Sequence, residues 1–122
     1  MQFALLIYES PEAFATRKNA EDDPYLGAWR GYYKALVEAG VYVGGDALEV
    51  PETGTTVRLK GGKRRVQDGP YADTKEQLAG LIIIEVPSVD AALDWAARCP
   101  ATSLGALEVR PLAPEPKRRI TG

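Results

Sequence analysis

The 122-residue sequence predicts an α+β fold in which an antiparallel sheet carries two helices on one face and an added β-hairpin interrupts the chain between strands. Three observations carry this. Residues 2–8 and 81–86 are apolar runs of strand length,. Residues 24–39 and the segment opened by Ser88 place apolar side chains at helical spacing,. Gly61-Gly62 joins two β-prone segments, 55–60 and 63–67, and supplies the positive φ angles that a two-residue hairpin turn requires,.

The elements follow in order. In residues 2–8, Phe3, Leu5 and Ile7 alternate with Ala4, Leu6 and Tyr8, so both strand faces call for cover,. Ser10-Pro11-Glu12 opens a connection with a helical turn over 12–17 and a polar stretch to Asp23, expected to be mobile. Asp23-Pro24 reads as an N-cap with proline at the first helical position, and Gly40 suits the left-handed residue past the helix end,. Leu26, Trp29, Tyr33, Leu36 and Val37 form the expected inner face; Gly27 and Gly31 mark either close backbone packing or simple tolerance,. Residues 41–43 make a short strand. Ser88 caps the second helix, whose inner stripe is expected at Val89, Ala92, Leu93 and Ala96, and Pro100 forbids its continuation,. Residues 106–112 supply the last strand. Residues 1–112 read as one domain and 113–122 as a flexible tail whose Lys117-Arg118-Arg119 cluster is solvated charge,.

Strand, helix, strand with hairpin, strand, helix, strand is the ferredoxin-like order, a split βαβ arrangement. It leaves one sheet face bare, yet the two central strands are apolar on both sides. A homodimer joined through the sheet face would bury the second layer.

Composition narrows the function. The 15 basic and 17 acidic residues give a net charge of −2, without the basic surface of a nucleic-acid binder,. No apolar run reaches the length needed to span a bilayer, and the single Cys99 forms no internal disulfide,. A cytoplasmic protein with neither nucleic acid nor membrane as partner is the expectation. Histidine is absent, which removes the Ser-His-Asp triad and the common zinc sets,. Acid–base chemistry must come from carboxylates, tyrosines or lysines, without a cofactor or metal.

Between the hairpin and the second apolar run lies Val66-Gln67-Asp68-Gly69-Pro70-Tyr71-Ala72-Asp73-Thr74-Lys75-Glu76. Asp-Gly-Pro is tight-turn chemistry, and a surface loop so rich in ionisable groups is a natural place for function. It resembles the Asp-Gly-Pro-Phe motif of the DGPF branch of the YCII-related family, with Tyr71 in place of Phe. Leu6-Ile7-Tyr8, Gly44-Gly45, Thr55-Thr56-Val57-Arg58, Asp90 to Ala96 and Glu108-Val109-Arg110-Pro111 extend the resemblance over nearly the whole chain. The resemblance implies a dimeric α+β barrel. The His and Asp pair of some family members does not carry over, because no histidine is present.

Parallel crossover geometry places the Asp68 loop beside the carboxyl end of the first strand and the amino end of the long helix. Asp68 as base and Tyr71 as acid or donor are the candidate catalytic groups; Tyr8, Asp46, Arg58 and Lys75 are the candidate ligand-binding groups,. Each has a bland reading beside the functional one: Asp68 in an Asx-turn, Lys75 and Glu76 on a short helical turn begun by Asp73-Thr74, Tyr8 as packing, Arg58 in an ion pair. A small-molecule-binding protein or cofactor-free enzyme of proton abstraction, elimination or isomerisation is the expected function. The alternatives are a non-catalytic ligand- or partner-binding domain and a structural dimerisation domain.

Overall fold

A computed structural model describes residues 1–18 and 23–114. The expected tail thus lies mostly outside the described residues, as does most of the polar stretch before Asp23. Strand β1 (Gln2–Glu9) leads into a short helix α1 (Pro11–Ala15) and a 3₁₀ turn at Thr16–Lys18. Helix α2 (Pro24–Glu38), β2 (Tyr42–Ala47), the hairpin β3 (Thr55–Lys60) and β4 (Lys63–Asp68), β5 (Gln77–Glu85), α3 (Val89–Arg98) and β6 (Gly105–Pro111) follow. The sheet order β2-β5-β1-β6 is antiparallel throughout, and this is the ferredoxin-like fold with the hairpin added as a separate two-stranded sheet.

Local chemistry sets the helix ends. Asp23 accepts from the amides of Tyr25 at 2.8 Å and Leu26 at 3.4 Å, and Pro24 occupies the first turn,. At the far end Gly40 has φ +73°, with Gly40 N donating to the Val37 carbonyl and Val41 N to the Leu36 carbonyl, the paired bonds of a Schellman motif,. Ser88 caps α3 by accepting from Ala91 N at 3.1 Å.

One cluster forms the core. Phe3, Leu5 and Ile7 of β1 and Ile82 and Ile84 of β5 meet Tyr32 and Leu36 of α2 and Ala92 and Ala96 of α3. Each large side chain buried there stabilises the fold by roughly 1.5–3 kcal/mol. The Tyr32 hydroxyl donates to the Trp95 carbonyl at 2.7 Å and ties the two helices together. The inner faces differ in detail from expectation. Tyr32 is buried and Val37 is 59% exposed, while Val89 and Leu93 stand about half exposed on the flank of α3. Small Ala92 and Ala96 are the residues that α3 turns inward. Gly31 meets nothing within 4 Å of an added Cβ and Gly27 meets only the Arg30 side chain, so both are tolerated rather than required.

The connection after β1 is packed, not loose, in its described part: Ala13 and Phe14 are buried, and Ser10 accepts from Ala13 N. No helical turn forms at Asp73-Thr74, which is irregular backbone between bends at Tyr71-Ala72 and Lys75-Glu76, and β5 begins at Gln77, earlier than its apolar run suggests. The opposite face of the sheet carries Leu6, Leu81 and Ile83, all partly exposed. No helix among the described residues is long and apolar enough to cross a membrane.

A Cβ at Gly105 would lie 2.1 Å from the Tyr8 carbonyl oxygen. Gly105→Ala must push β6 away from β1 and should cost about 2 kcal/mol or more, seen as a melting midpoint lower by roughly 5–10 °C. Gly31→Ala should instead raise stability by about 0.5–1 kcal/mol. Equal midpoints for the two variants would contradict both assignments.

Candidate functional site

Glu9 ends β1, opposite Gln77 of β5 and Gly105 of β6. It continues the alternation of Phe3, Leu5 and Ile7 onto the helix-bearing face, and at 5% exposure it is the one charged residue buried among the described residues,. A carboxylate so placed is tolerated only with partners. Tyr25, in the first turn of α2, donates its hydroxyl to Glu9 Oε2. Arg17 donates from Nη2 to Glu9 Oε1 at 3.4 Å.

The strands hold Arg17 as well. β5 carries one extra residue, Ala79, between the partners of Ile7 and Tyr8. At this bulge the Ala79 carbonyl accepts from Arg17 Nη2 at 3.2 Å and from Leu48 N at 2.8 Å, while Arg17 Nη1 donates to the Leu48 carbonyl,. The guanidinium also covers the Phe14 ring, 4.8 Å from its centroid. A cavity of about 310 Å³ opens beside this trio, walled by Ile7, Leu26, Trp29 and Tyr33 and reaching Asp46. At its wall Gly80 lets β5 approach β2, since a Cβ there would come 2.7 Å from the Asp46 carbonyl oxygen.

The sequence-predicted residues divide among neighbouring hollows. Asp46 lines the cavity. Asp68 and Lys75 line an open groove on the other side of Glu9, with Phe14 and Pro70. Tyr8 and Tyr71 line a third hollow. Arg58 lines none of these and lies over the Tyr71 ring, 5.5 Å from its centroid. Asp46 and Asp68 therefore do not share a pocket. The Asp68 carboxylate makes no hydrogen bond among the described residues, so the Asx-turn reading fails; backbone Gly69 N to Gly54 O at 2.7 Å and Thr56 Oγ1 to Gly69 O at 2.9 Å pin the loop. The loop does reach the carboxyl end of β1, but through the antiparallel β1–β5 pairing rather than a parallel crossover. Glu9, Tyr25 and Arg17 were not singled out in the sequence; the signal for Glu9 was its place on the inward side of the β1 alternation.

Electrostatics assigns the tyrosine a role. Burial first, then the bond to Glu9, raises the Tyr25 phenol well above its ordinary range, so it remains a donor,. Burial also raises Tyr32 and Tyr33, and pushes the Cys99 thiol up to about 12, which leaves no nucleophilic thiolate there,. Folded values above the unfolded ones mean that this stabilisation is complete below the unfolded values, about 8.5 for Cys and 10 for Tyr. It is lost as pH rises through the folded values. Thermal midpoints between pH 7 and 11 should fall on the alkaline side, beginning near pH 9. Tyr25→Phe should lower the midpoint at pH 7, by the loss of about 1.5–3 kcal/mol from a bond to a charged group, and make the alkaline fall shallower. An unchanged alkaline slope would exclude Tyr25 from the linkage.

Comparison with known proteins agrees with this fold. An uncharacterised protein of Rhizobium meliloti strain 1021 is 38% identical over 116 residues, covering 93% of each chain. The 5-chloro-2-hydroxyhydroquinone dehydrochlorinase TftG of Burkholderia phenoliruptrix AC1100, solved in complex with 2,5-dihydroxybenzoquinone, matches with a TM-score of 0.53 and 17% identity over 93% of this chain and 94% of its own. The model of the YCII-related domain matches residues 1–115, and the chain belongs to that family.

Proposed function

We propose that this protein binds a small organic molecule in the cavity beside Glu9 and performs cofactor-free acid–base chemistry on it. The observation that carries the reading is a buried carboxylate, held by Tyr25 and Arg17, at the wall of a largely apolar cavity of about 310 Å³. Such a pocket, apolar with a few convergent polar groups, suits a small ligand. Each carboxylate oxygen has two lone-pair directions, so Glu9 can accept a ligand proton while keeping its partners. The charge then left on a ligand oxygen meets the Arg17 guanidinium or the Tyr25 hydroxyl. Proton abstraction followed by elimination or isomerisation fits these groups. The fold neighbour's name and bound quinone support small oxygenated molecules as the ligand class. Asp68 and Lys75 line the groove on the far side of Glu9, and in this reading they receive or deliver the proton rather than hold the ligand's apolar body.

Satisfaction of Glu9 by its own neighbours favours a second reading, a ligand-binding module in which the trio is structural. One experiment separates the two. Titrating the protein with 2,5-dihydroxybenzoquinone and a panel of hydroxylated and halogenated ring compounds, by calorimetry and by following their absorbance, should show saturable binding to the wild type and conversion of at least one compound. Glu9→Gln should keep the fold and lower that conversion by about 10²–10⁴-fold, with Asp68→Asn affecting it less. Binding without conversion would establish the module reading. A larger loss in Asp68→Asn than in Glu9→Gln would move the base to the Asp-Gly-Pro loop. No saturable binding would end the ligand proposal.

A further inference from the structure

The polar groups on the cavity wall stand at two ends, and the ends differ in how far their members are already satisfied. Tyr25, Trp29 and Tyr33 follow one another at four-residue spacing along α2, and all three line the cavity,. Their ring centroids are 6.4 and 5.8 Å apart. Eight residues of helix set Tyr33 about 12 Å along the axis from Tyr25. The Tyr25 end holds the Glu9 trio, whose members bond one another. Thr16, on the same wall, donates its hydroxyl to the Ala13 carbonyl at 2.6 Å.

The Tyr33 end is different. Asp46 reaches the cavity there, since its charge acts on the Tyr33 phenol, whereas that of Glu9 acts on Tyr25. Among the described residues the Asp46 carboxylate has no hydrogen bond or ion pair, and the Tyr33 hydroxyl has no hydrogen-bond partner. Tyr42 of β2 fixes the Tyr33 ring edge-on, 5.8 Å between centroids. Burial first, then Tyr42 and Asp46, raises the Tyr33 phenol above its ordinary range, so it stays protonated,. This end offers a ligand one charged acceptor and one hydroxyl. Glu9 and Asp46 against Arg17 leave the cavity lining at −1, which repels a ligand carboxylate and suits a neutral or cationic molecule,. The separation of about 12 Å, less two hydrogen bonds of about 3 Å each, leaves about 6 Å. That is the span between substituents on opposite edges of one six-membered ring.

We infer that Asp46 is the specificity-determining residue of this cavity, and that the ligand is a single flat ring, neutral or cationic, with a hydrogen-bond donor on the edge opposite the one that meets Glu9. The donor is a hydroxyl or an amine, and the Asp46 carboxylate accepts from it. Trp29, midway along the wall, takes the ring itself,. The inference rests on the cavity being the ligand site, and adds which ring compounds enter it and which way round they lie.

Calorimetric titration of the full chain with hydroquinone, para-aminophenol, para-methoxyphenol and para-hydroxybenzoate tests this. The wild type should bind hydroquinone and aminophenol about tenfold or more tighter than methoxyphenol, which lacks the second donor, and hydroxybenzoate most weakly. Asp46→Ala should leave the circular dichroism unchanged, because the carboxylate has no partner in the fold, and should bring hydroquinone down to the level of methoxyphenol. Asp46→Asn keeps an acceptor oxygen but removes the charge, so it should raise hydroxybenzoate affinity by about threefold or more. Rings bound with the same order of preference by Asp46→Ala and the wild type would overturn the inference while leaving the cavity as the ligand site. Hydroxybenzoate binding as tightly as hydroquinone to the wild type would do the same. No saturable binding of any of the four would overturn both readings.

Discussion

Burying one carboxylate at the end of the first strand constrains the rest of this protein. Glu9 sits where β1, the segment after α1 and the start of α2 converge. An unpartnered charge in that position would be costly, so a cation and a hydroxyl must be brought to it. Arg17 comes from the connection and Tyr25 from the helix. Arg17 in turn needs the carbonyls of Ala79, at the β5 bulge, and of Leu48, just past β2, and thus the irregular pairing of β5 is part of the same arrangement. The cavity lies at the junction these contacts define. The chemistry of the site and the anchoring of two connections are one structure.

Much of this fold is legible in the residues because its boundaries are set by local chemistry. Asp23-Pro24, Gly40, Ser88 and Gly61-Gly62 each act within a few residues of themselves, and each appears in the structure where its chemistry demands. The element order then leaves few topologies. Helix faces are less legible. Val37, Val89 and Leu93 belong to the apolar periodicity, but a helix laid on a sheet buries only part of an apolar arc, and α3 brings in its alanines. Periodicity finds the arc; packing selects its centre.

The site was harder to read for a different reason. Its members are eight and sixteen residues from Glu9 in sequence, with no motif spacing between them. The Asp-Gly-Pro loop, by contrast, is conspicuous in sequence and lands nearby because β5 must begin opposite the end of β1. Its predicted residues then fan out into separate hollows, since neighbours along a loop point in different directions. Of the predicted site residues, Asp46, on β2, is the one that lines the cavity with Glu9.

The position of β1 in the sheet also shapes how the chain is made. It is made before both of its hydrogen-bonding neighbours, residues 77–85 and 105–111. No sheet partner for this apolar strand exists until β5, about 70 residues later, has emerged, and its second edge stays open until β6 follows. Pairings of such long sequence separation carry a large loop-closure cost before they return any stability, which slows folding. During synthesis an unpaired, two-sided apolar strand is a template for intermolecular pairing, so the nascent chain is at its most aggregation-prone before β5 appears.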